Sequence, residues 1–217
     1  MPKKLEYPLV SVVILNYNGM KYINQCLESV LSTDYPNFEV IFVDNSSTDG
    51  SLEYVNGRFR GNQCFRIVAN SNNYGFAEGN NVGVRHSMGT YIVFLNIDTE
   101  VDPRWLKELI TVVESDQTIG AAQCKLLMMH DRRRFDSAGG LLDYCGVEWP
   151  KNVRVYDLGQ YDDVRDIFYA KGAAMLVRKR VLTEVGLFDP TYFIGYEDIE
   201  AVRKLGFRNE RRTRCIT

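Results

Sequence analysis

The feature that most constrains the fold is a series of apolar, β-branched runs that alternate with segments of helical spacing. The first run, 9–15, is almost unbroken, as expected of a strand buried on both faces of a sheet. Similar runs follow at 38–43 and 91–95, and the segment 22–31 has apolar residues at helical spacing. This order predicts an α/β fold with a mostly parallel central sheet flanked by helices.

Each of the three runs ends in polar residues that are able to bind a ligand. These residues are Asn16, Tyr17, Asn18, Asp44, Asn96 and Asp98. Because ligands of parallel α/β sheets gather outside the carboxyl ends of strands, we expect them to lie at one site. A carboxylate there is suited to a divalent cation bound to phosphate oxygens. Taken alone, however, Asp98 followed by Thr99 is as typical of a turn or a helix cap as it is of a metal site.

An amide-rich loop at 70–75 precedes a predicted helix at 76–87. Gly75, Gly79 and Gly83 recur every four residues, so one side of this helix carries almost no side chain. Glycine costs about 1 kcal/mol per helical position relative to alanine, which indicates a close approach of some kind. Either a ligand or backbone approaches this face, or the helix packs tightly on the sheet.

Further along the chain, Asp102 followed by Pro103 predicts a helix start, with the helix running to about Glu114. Asp102 is therefore interpreted as structural. A strand is predicted at 120–127, and the looser pattern at 134–160 predicts short strands and loops.

Small residues and then paired carboxylates mark the last third of the sequence. Gly172, Ala173 and Ala174 lead into an apolar strand and leave space beside them. Glu197 and Asp198 follow a stretch rich in aromatic residues. They suit either the first turn of a helix, where the dipole favours acids, or a general base for an acceptor hydroxyl.

Composition limits the class of protein without naming it. With 217 residues, 45% of them hydrophobic, the chain can bury a full core in one large domain or two fused subdomains. A formal net charge of −2 gives no electrostatic case for nucleic acid as the partner. Arginines cluster at 132–134 and 208–214, which predicts a solvated face or frayed tail, or else contact with acidic phospholipid headgroups.

Cysteine usage and hydropathy predict a cytoplasmic protein. The five cysteines are scattered and form no C-x-x-C pair, which is simplest in a reducing compartment. No stretch approaches the roughly 20 apolar residues that span a bilayer, and the start has no signal-peptide core. We therefore expect a soluble protein, or one in peripheral contact with the inner face of a membrane.

Five segments together resemble the family 2 glycosyltransferases, which have the Rossmann-like GT-A fold. They are 10–19, 43–50, 73–85, 94–106 and 172–198, in the order and approximate spacing of the family. The resemblance implies transfer of a sugar from a nucleoside-diphosphate donor to an acceptor hydroxyl, with inversion at the anomeric carbon. An Asn-x-Asp followed by Thr is similar to the rhamnosyltransferase-like branch, which implies dTDP-rhamnose or a UDP-sugar as donor.

The resemblance also implies roles for the strand-end residues. Asn16, Tyr17 and Asn18 would border the nucleotide, and Asn73 would approach the ribose or diphosphate. Asp44 would accept a hydrogen bond from the imide N–H of uracil or thymine.

Metal, sugar and base roles are implied in the same way. Asp98 would bind Mn²⁺ or Mg²⁺, and Asn96 stands where the commoner D-x-D motif has its first aspartate. The small residues at 172–174 would line the sugar pocket. Asp198, helped by Glu197, would deprotonate the acceptor hydroxyl.

This interpretation divides the chain into two regions of one GT-A domain. Residues 1–128 form a nucleotide-sugar-binding α/β region, and 129–217 form an acceptor-side region that is shortened at its C-terminus relative to the family. The expected partners are a nucleoside-diphosphate sugar and a glycan or lipid-linked acceptor, in surface glycan or polysaccharide assembly. The alternative is a non-catalytic or truncated nucleotide-sugar-binding module.

Dinucleotide and P-loop folds are excluded, because neither of their glycine motifs occurs.

Overall fold

The structure is a computed structural model, and it describes residues 7–142, 148–150, 154–195 and 212–216. Strands and helices alternate in the first half: β1 Val10–Asn16, α1 Met20–Leu31, β2 Phe38–Asp44, α2 Ser51–Phe59, β3 Phe65–Ala69, α3 Gly75–His86, β4 Tyr91–Asn96, α4 Trp105–Ser115 and β5 Ile119–Cys124. Strands dominate the second half: β6 Leu126–Met128, β7 Asp131–Ser137, β8 Gly140–Leu142, β9 Glu148–Pro150, β10 Arg165–Ile167, β11 Ala174–Arg178, α5 Lys179–Val185 and β12 Arg212–Ile216.

Eight of these strands form one mixed sheet in the order β10-β12-β5-β11-β4-β1-β2-β3. β4, β1, β2 and β3 are mutually parallel, and β12 is parallel to β5. β11 runs antiparallel to both of its neighbours, and β10 is antiparallel to β12. The predicted α/β fold with a mostly parallel central sheet is confirmed. β6–β7 and β8–β9 are separate two-stranded sheets.

Helices cover both faces of the sheet, which explains the unbroken apolar character of β1. Val12 and Ile14 face the cluster formed with α1, α2 and α4, whereas Val13 faces the cluster formed with α3 and α5. All three side chains are fully buried. Ser11, a polar residue inside the strand, is also fully buried and donates to Glu39 Oε1 at 2.6 Å.

The register of β1 brings the predicted polar strand ends to one edge of the sheet. Asn16 pairs with Asp44 at the end of β2, and Leu15 pairs with Asn96 at the end of β4. The three strand ends are therefore neighbours.

The glycine face of α3 is a packing surface against the sheet. A Cβ added at Gly79 would lie 2.6 Å from the Leu15 side chain, and one added at Gly83 would overlap Val13. For these two glycines the structure supports tight packing of the helix on β1 rather than contact with a ligand. Gly75 has a different neighbour, described with the site below.

Two predicted boundaries were wrong by a few residues. α4 begins at Trp105 rather than Pro103, because Asp102 forms a turn before the helix: its Oδ1 accepts from the Arg104 N–H at 2.9 Å and its carbonyl accepts from the Trp105 N–H at 3.0 Å. Asp102 is thus structural, as predicted. The single strand expected at 120–127 is divided into β5 and β6 at Lys125.

The predicted frayed, arginine-rich tail is wrong for residues 212–216. This segment is β12, which lies between β5 and β10 in the large sheet, with Thr213 and Cys215 buried. Arg214 forms an ion pair with Asp166 of β10. Thus at least this part of the arginine cluster belongs to the sheet.

The arginines at 132–134 lie in β7 and have acidic partners. Arg132 pairs with Glu100, while Arg133 and Arg134 both pair with Asp131. Three guanidinium groups thus share two carboxylates, and Arg132 and Arg133 remain 61% and 78% exposed. Across the described ranges, no helix has both the length and the apolarity that a bilayer crossing requires.

Arg178 at the end of β11 joins the sheet to the end of α4 from a buried position. Its Nε donates to the Ile119 carbonyl at 2.9 Å, and its Nη1 donates to the Tyr91 hydroxyl at 2.5 Å. Nη2 donates to the Val113 carbonyl, and Glu114 lies 3.4 Å from Nη1. Burial raises the pKa of Tyr91, so its hydroxyl stays protonated and donates to Glu114.

Replacing Arg178 by methionine is expected to lower the free energy of unfolding by about 3 kcal/mol, because buried carbonyl and hydroxyl groups lose their donor. The measurement is equilibrium unfolding in urea. Arg133→Met is the control, since the Arg133 side chain is 78% exposed and its ion pair with Asp131 is worth about 1 kcal/mol or less. Equal losses in the two variants would contradict a structural role for Arg178.

Candidate active site

Asn16 is the centre of a hydrogen-bond network at the ends of β1 and β2. Its Nδ2 lies 2.9 Å from Asp44 Oδ1, 2.9 Å from Ser51 Oγ and 3.0 Å from Ser47 Oγ, so its two N–H groups are shared among three acceptors. Because a carboxylate only accepts, Asp44 determines which way the amide faces. Asn16 Oδ1 is buried and has no hydrogen-bond partner among the described residues. Asn16 was predicted to border the nucleotide, but its side chain is fully buried beneath the loops.

Asp44 is also buried, at 1% exposure, and both of its oxygens are engaged. Oδ1 accepts from Asn16, and Oδ2 accepts from the Ser47 N–H at 2.9 Å. A direct hydrogen bond from a nucleotide base would therefore have to share or displace one of these partners. In the structure Asp44 holds the loop after β2, and base recognition remains a prediction for it.

The loops after β1 and β2 are joined by reciprocal hydrogen bonds around Asn18. The Asn18 N–H donates to Ser47 Oγ at 3.0 Å, and its Oδ1 accepts from the Thr48 N–H at 2.8 Å. Asn18 has a φ of 51°, a left-handed conformation that asparagine adopts more readily than most residues. The neighbouring Tyr17 is 52% exposed, so of the predicted trio Tyr17 and Asn18 reach the surface.

Asp49 closes the outer side of the same loops. Its two carboxylate oxygens accept from the backbone N–H groups of Met20 and Ser51, at 2.9 and 3.0 Å. Desolvation acts to raise the pKa of Asp49, but hydrogen bonds from Ser51 and Met20 outweigh it and hold that pKa below its ordinary value. Asp49 therefore stays ionised at neutral pH and keeps α1 and α2 aligned.

Asn45 organises the amide-rich loop, a role that the sequence analysis missed. Its Nδ2 donates to Asn73 Oδ1 at 2.7 Å and to the Gly75 carbonyl at 3.1 Å. Its Oδ1 accepts from Asn70 Nδ2 at 3.0 Å and from the Tyr74 N–H at 3.2 Å. Asn73 thus lies against the end of β2. The one available signal was the position of Asn45 directly after a buried strand end.

Gly75 contacts the segment that precedes the predicted general base. The Phe76 N–H donates to the Phe193 carbonyl at 2.6 Å. A Cβ at Gly75, whose φ is 79°, would lie 2.6 Å from that carbonyl oxygen and 2.7 Å from the Phe193 ring. The start of α3 is therefore in direct contact with residue 193. Glu197 and Asp198 themselves lie outside the described residues.

A cavity of about 880 Å³ opens at the carboxyl end of β4. It is lined by the loop after β4, the start of α4, the β5–β7 segment and the turn before β11, and includes Asn96, Asp98, Asp136, Lys171, Ala173 and Ala174. The predicted metal residues and two of the three predicted sugar-pocket residues thus share one cavity. The buried Gly172 is in the same turn but is not among the described lining residues.

The predicted nucleotide-binding residues form a second group beside this cavity. Asn16, Tyr17, Asn18, Asp44 and Asn73 are not among its described lining residues. The two groups adjoin because β1 and β4 are paired neighbours in the sheet.

Asp98 and Asn96 are suited to hold a hard cation. Asp98 is exposed, and within the described ranges its carboxylate makes no hydrogen bond or ion pair, so it caps no described helix. The turn is closed instead by Thr99, whose hydroxyl donates to the Asn96 carbonyl at 2.6 Å. No group of three His, Cys, Asp or Glu residues suited to a metal occurs in the described part of the chain. One carboxylate and one amide oxygen nevertheless fit Mg²⁺ or Mn²⁺, whose other ligands are commonly water and phosphate.

Comparison with known proteins agrees with this architecture. The model of glycosyl transferase family 2 matches residues 11–186. An uncharacterised glycosyltransferase of Haemophilus influenzae is 30% identical over 114 residues, covering 52% of this chain and 35% of the relative. Glycosyltransferase GlyG of Streptococcus pneumoniae is 33% identical over 115 residues, covering 52% of this chain and 38% of GlyG. The aligned parts are thus well under two thirds of these relatives.

Solved structures of the GT-A class share the fold. The mannosyltransferase PcManGT of Pyrobaculum calidifontis, in complex with GDP-Man and Mn²⁺, has a TM-score of 0.72 at 21% identity over 98% of this chain and 55% of its own. TarS 1-349 of S. aureus in complex with UDP-GlcNAc has a TM-score of 0.70 at 21% identity over 95% of this chain and 55% of its own. The fold is that of the GT-A enzymes. The chain belongs to glycosyl transferase family 2.

Gly75→Ala is expected to lower the free energy of unfolding by about 1–2 kcal/mol, because the left-handed backbone and the Phe193 contact both disfavour a Cβ. Gly57→Ala is the matched control: Gly57 lies inside α2 with nothing within 4 Å of an added Cβ. That change is expected to stabilise the protein by up to about 1 kcal/mol through helix propensity. Urea unfolding checks both, and a shift of the same sign in the two variants would contradict the contact.

Proposed function

We propose that this chain is a metal-dependent, inverting glycosyltransferase domain that uses a UDP- or dTDP-sugar. The acceptor is a hydroxyl of a glycan or lipid-linked sugar in surface glycan or polysaccharide assembly. The observation that carries the proposal is Asp98: an exposed carboxylate, without a partner among the described residues, in a large cavity beside the β1–β2 loops. Family membership gives the reaction class.

In this proposal the nucleotide lies across the loops after β1 and β2. Tyr17 offers an exposed aromatic face, and Asn18 and Asn73 offer polar groups at the same edge. Asn16 and Asp44 support that surface from beneath, and Asp44 also accepts from the base imide if the Ser47 bond is shared. GDP is tested beside UDP and dTDP, since PcManGT was solved with GDP-Man and TarS with UDP-GlcNAc.

Asp98, with Asn96, would hold Mn²⁺ or Mg²⁺. A divalent cation there neutralises the negative charge that develops on the departing nucleoside diphosphate. Asp98 remains available for this role because the described residues leave its carboxylate unpaired. The small residues 172–174 leave room beside it for the sugar.

The chemical step proposed is a single displacement with Asp198 as base. The acceptor hydroxyl gives its proton to the Asp198 carboxylate, and its oxygen forms a bond to the anomeric carbon. The bond from that carbon to the diphosphate oxygen breaks, and the nucleoside diphosphate leaves with both electrons. Glu197 would assist by orienting Asp198 or the acceptor. Because the acceptor attacks opposite the leaving group, the configuration at the anomeric carbon inverts.

A lipid-linked acceptor would place the protein at the cytoplasmic face of a membrane, in peripheral contact. The exposed Arg132 and Arg133 of β7 keep N–H donors that their ion pairs do not use, and these would supply that contact.

Binding of UDP, dTDP and GDP, titrated calorimetrically with and without Mn²⁺, tests the metal site. The unchanged protein is expected to bind at least one of them, with affinity increased by Mn²⁺, and Asp98→Ala is expected to abolish the increase. Glu108→Ala is the control. Glu108 lines the same cavity from α4, and its substitution likewise removes one negative charge. A Mn²⁺ effect that survives in Asp98→Ala would exclude Asp98 as the metal ligand.

Asp198→Asn tests the base. Nucleotide binding is expected to stay within about twofold of the unchanged protein, while transfer falls by about 10²–10⁴-fold, the usual contribution of a general base. The assay is transfer from the preferred nucleotide sugar to a panel of glycan acceptors. Unchanged turnover would rule out the assignment, and binding without turnover in the unchanged protein would favour a non-catalytic module.

A further inference from the structure

Lys171 occupies a fixed position beside the predicted metal residues. It begins the turn before β11, in which the Ala174 N–H donates to the Lys171 carbonyl at 3.3 Å. The Ala173 carbonyl accepts from the Asn96 N–H at 3.0 Å, so the turn lies against the end of β4. The Lys171 N–H donates at 2.6 Å to Oε1 of Gln123, whose side chain is fully buried. The backbone of Lys171 is therefore held on both sides, and this limits the region that its ammonium group can reach.

Asp136 places a carboxylate opposite this lysine. Asp136 lies in β7 between the buried Phe135 and Ser137, and alternation along the strand directs its side chain to the other face. Lys171 Nζ lies 2.6 Å from Asp136 Oδ2, and each side chain is 39% exposed. Both residues line the cavity that contains Asp98.

Lys125, which lines the same cavity from between β5 and β6, has different surroundings from Lys171. Lys125 is held by two carboxylates, Asp157 at 2.7 Å and Asp162 at 2.9 Å, and its side chain is only 17% exposed. It has little capacity left for a ligand. The Lys171–Asp136 pair keeps both an ammonium donor and carboxylate acceptor sites open to the cavity.

A Lys–Asp pair whose side chains are partly exposed matches the chemistry of a neutral sugar. Each hydroxyl of a pyranose both donates and accepts, so neighbouring hydroxyls can accept from the ammonium and donate to the carboxylate. The paired charges cancel, which suits an uncharged sugar better than an anionic one. Hydrogen bonds to charged groups are also the stronger kind.

We propose that Lys171 and Asp136 together recognise hydroxyl groups of the donor sugar. This inference rests on the proposed function, because it assigns the sugar-binding part of the same site. The pair determines affinity for the sugar and contributes nothing to binding of the nucleoside diphosphate.

The test compares a nucleoside diphosphate with its sugar conjugate in the presence of Mn²⁺, using UDP against UDP-GlcNAc, dTDP against dTDP-rhamnose and GDP against GDP-mannose. Calorimetric titration gives the two dissociation constants for the unchanged protein and for Asp136→Asn. The dissociation constant of the nucleotide sugar is expected to rise about tenfold in the variant, the loss of one charge-assisted hydrogen bond. That of the diphosphate alone is expected to stay within about twofold.

Asp162→Asn is the matched control, because it removes a carboxylate from a Lys–Asp pair without being a described lining residue of the cavity. Neither dissociation constant is expected to change in it. Lys171→Met is the second variant, and it should repeat the selective loss even if Asp136→Asn folds poorly.

Two results would overturn the inference alone. Equal weakening of the diphosphate and the nucleotide sugar would show that the pair acts on the metal site or on the fold. Unchanged binding of both ligands in Asp136→Asn and Lys171→Met would show that the pair does not touch the sugar. Failure of the unchanged protein to bind any of these six ligands would instead overturn the proposed function, and the inference with it.

Discussion

The buried hydrogen bond between Asn16 and Asp44 is the interaction on which the site depends. It joins two neighbouring strand ends at paired positions, where little water competes for either group. Because Asp44 orients the amide, Asn16 also reaches Ser47 and Ser51, which belong to the following loop and helix. The surface above β1 and β2 is therefore built on a satisfied carboxylate. Removing that carboxylate would release two loops at once.

The first half of the fold was predictable because burial on both faces imposes a visible composition. β1, β2 and β4 are apolar along nearly their whole length, and their polar ends mark where enclosure stops. No local sequence pattern predicted β12, because basic and apolar residues mix in it. Its partner β5 is also distant along the chain. Likewise, the sequence 102–104 is compatible with a helix start, and only the observed hydrogen bonds show that it forms a turn.

The positions of the candidate site residues at the strand ends were predictable, but their exposure was not. Asp98 and Asn96 lie at the cavity as the strand-end argument requires, whereas Asn16 and Asp44 are covered by loops whose paths the sequence does not reveal. The role of Asn45 depends on four partners in a loop some distance along the chain. Partner choice of this kind is a property of the tertiary fold, so residue spacing carries no signal of it.

The position of β12 has a consequence for how the chain acquires its structure during synthesis. β5 has β11 on one side and β12 on the other, and β12 is made long after β5 has left the ribosome. Until then one edge of β5 presents unpaired N–H and C=O groups, the kind of edge on which neighbouring chains pair. Non-local pairing of this type is slow to form. β12 is the last strand of the described sheet to be made, so the edge of β5 that it covers stays open until residues 212–216 have been synthesised.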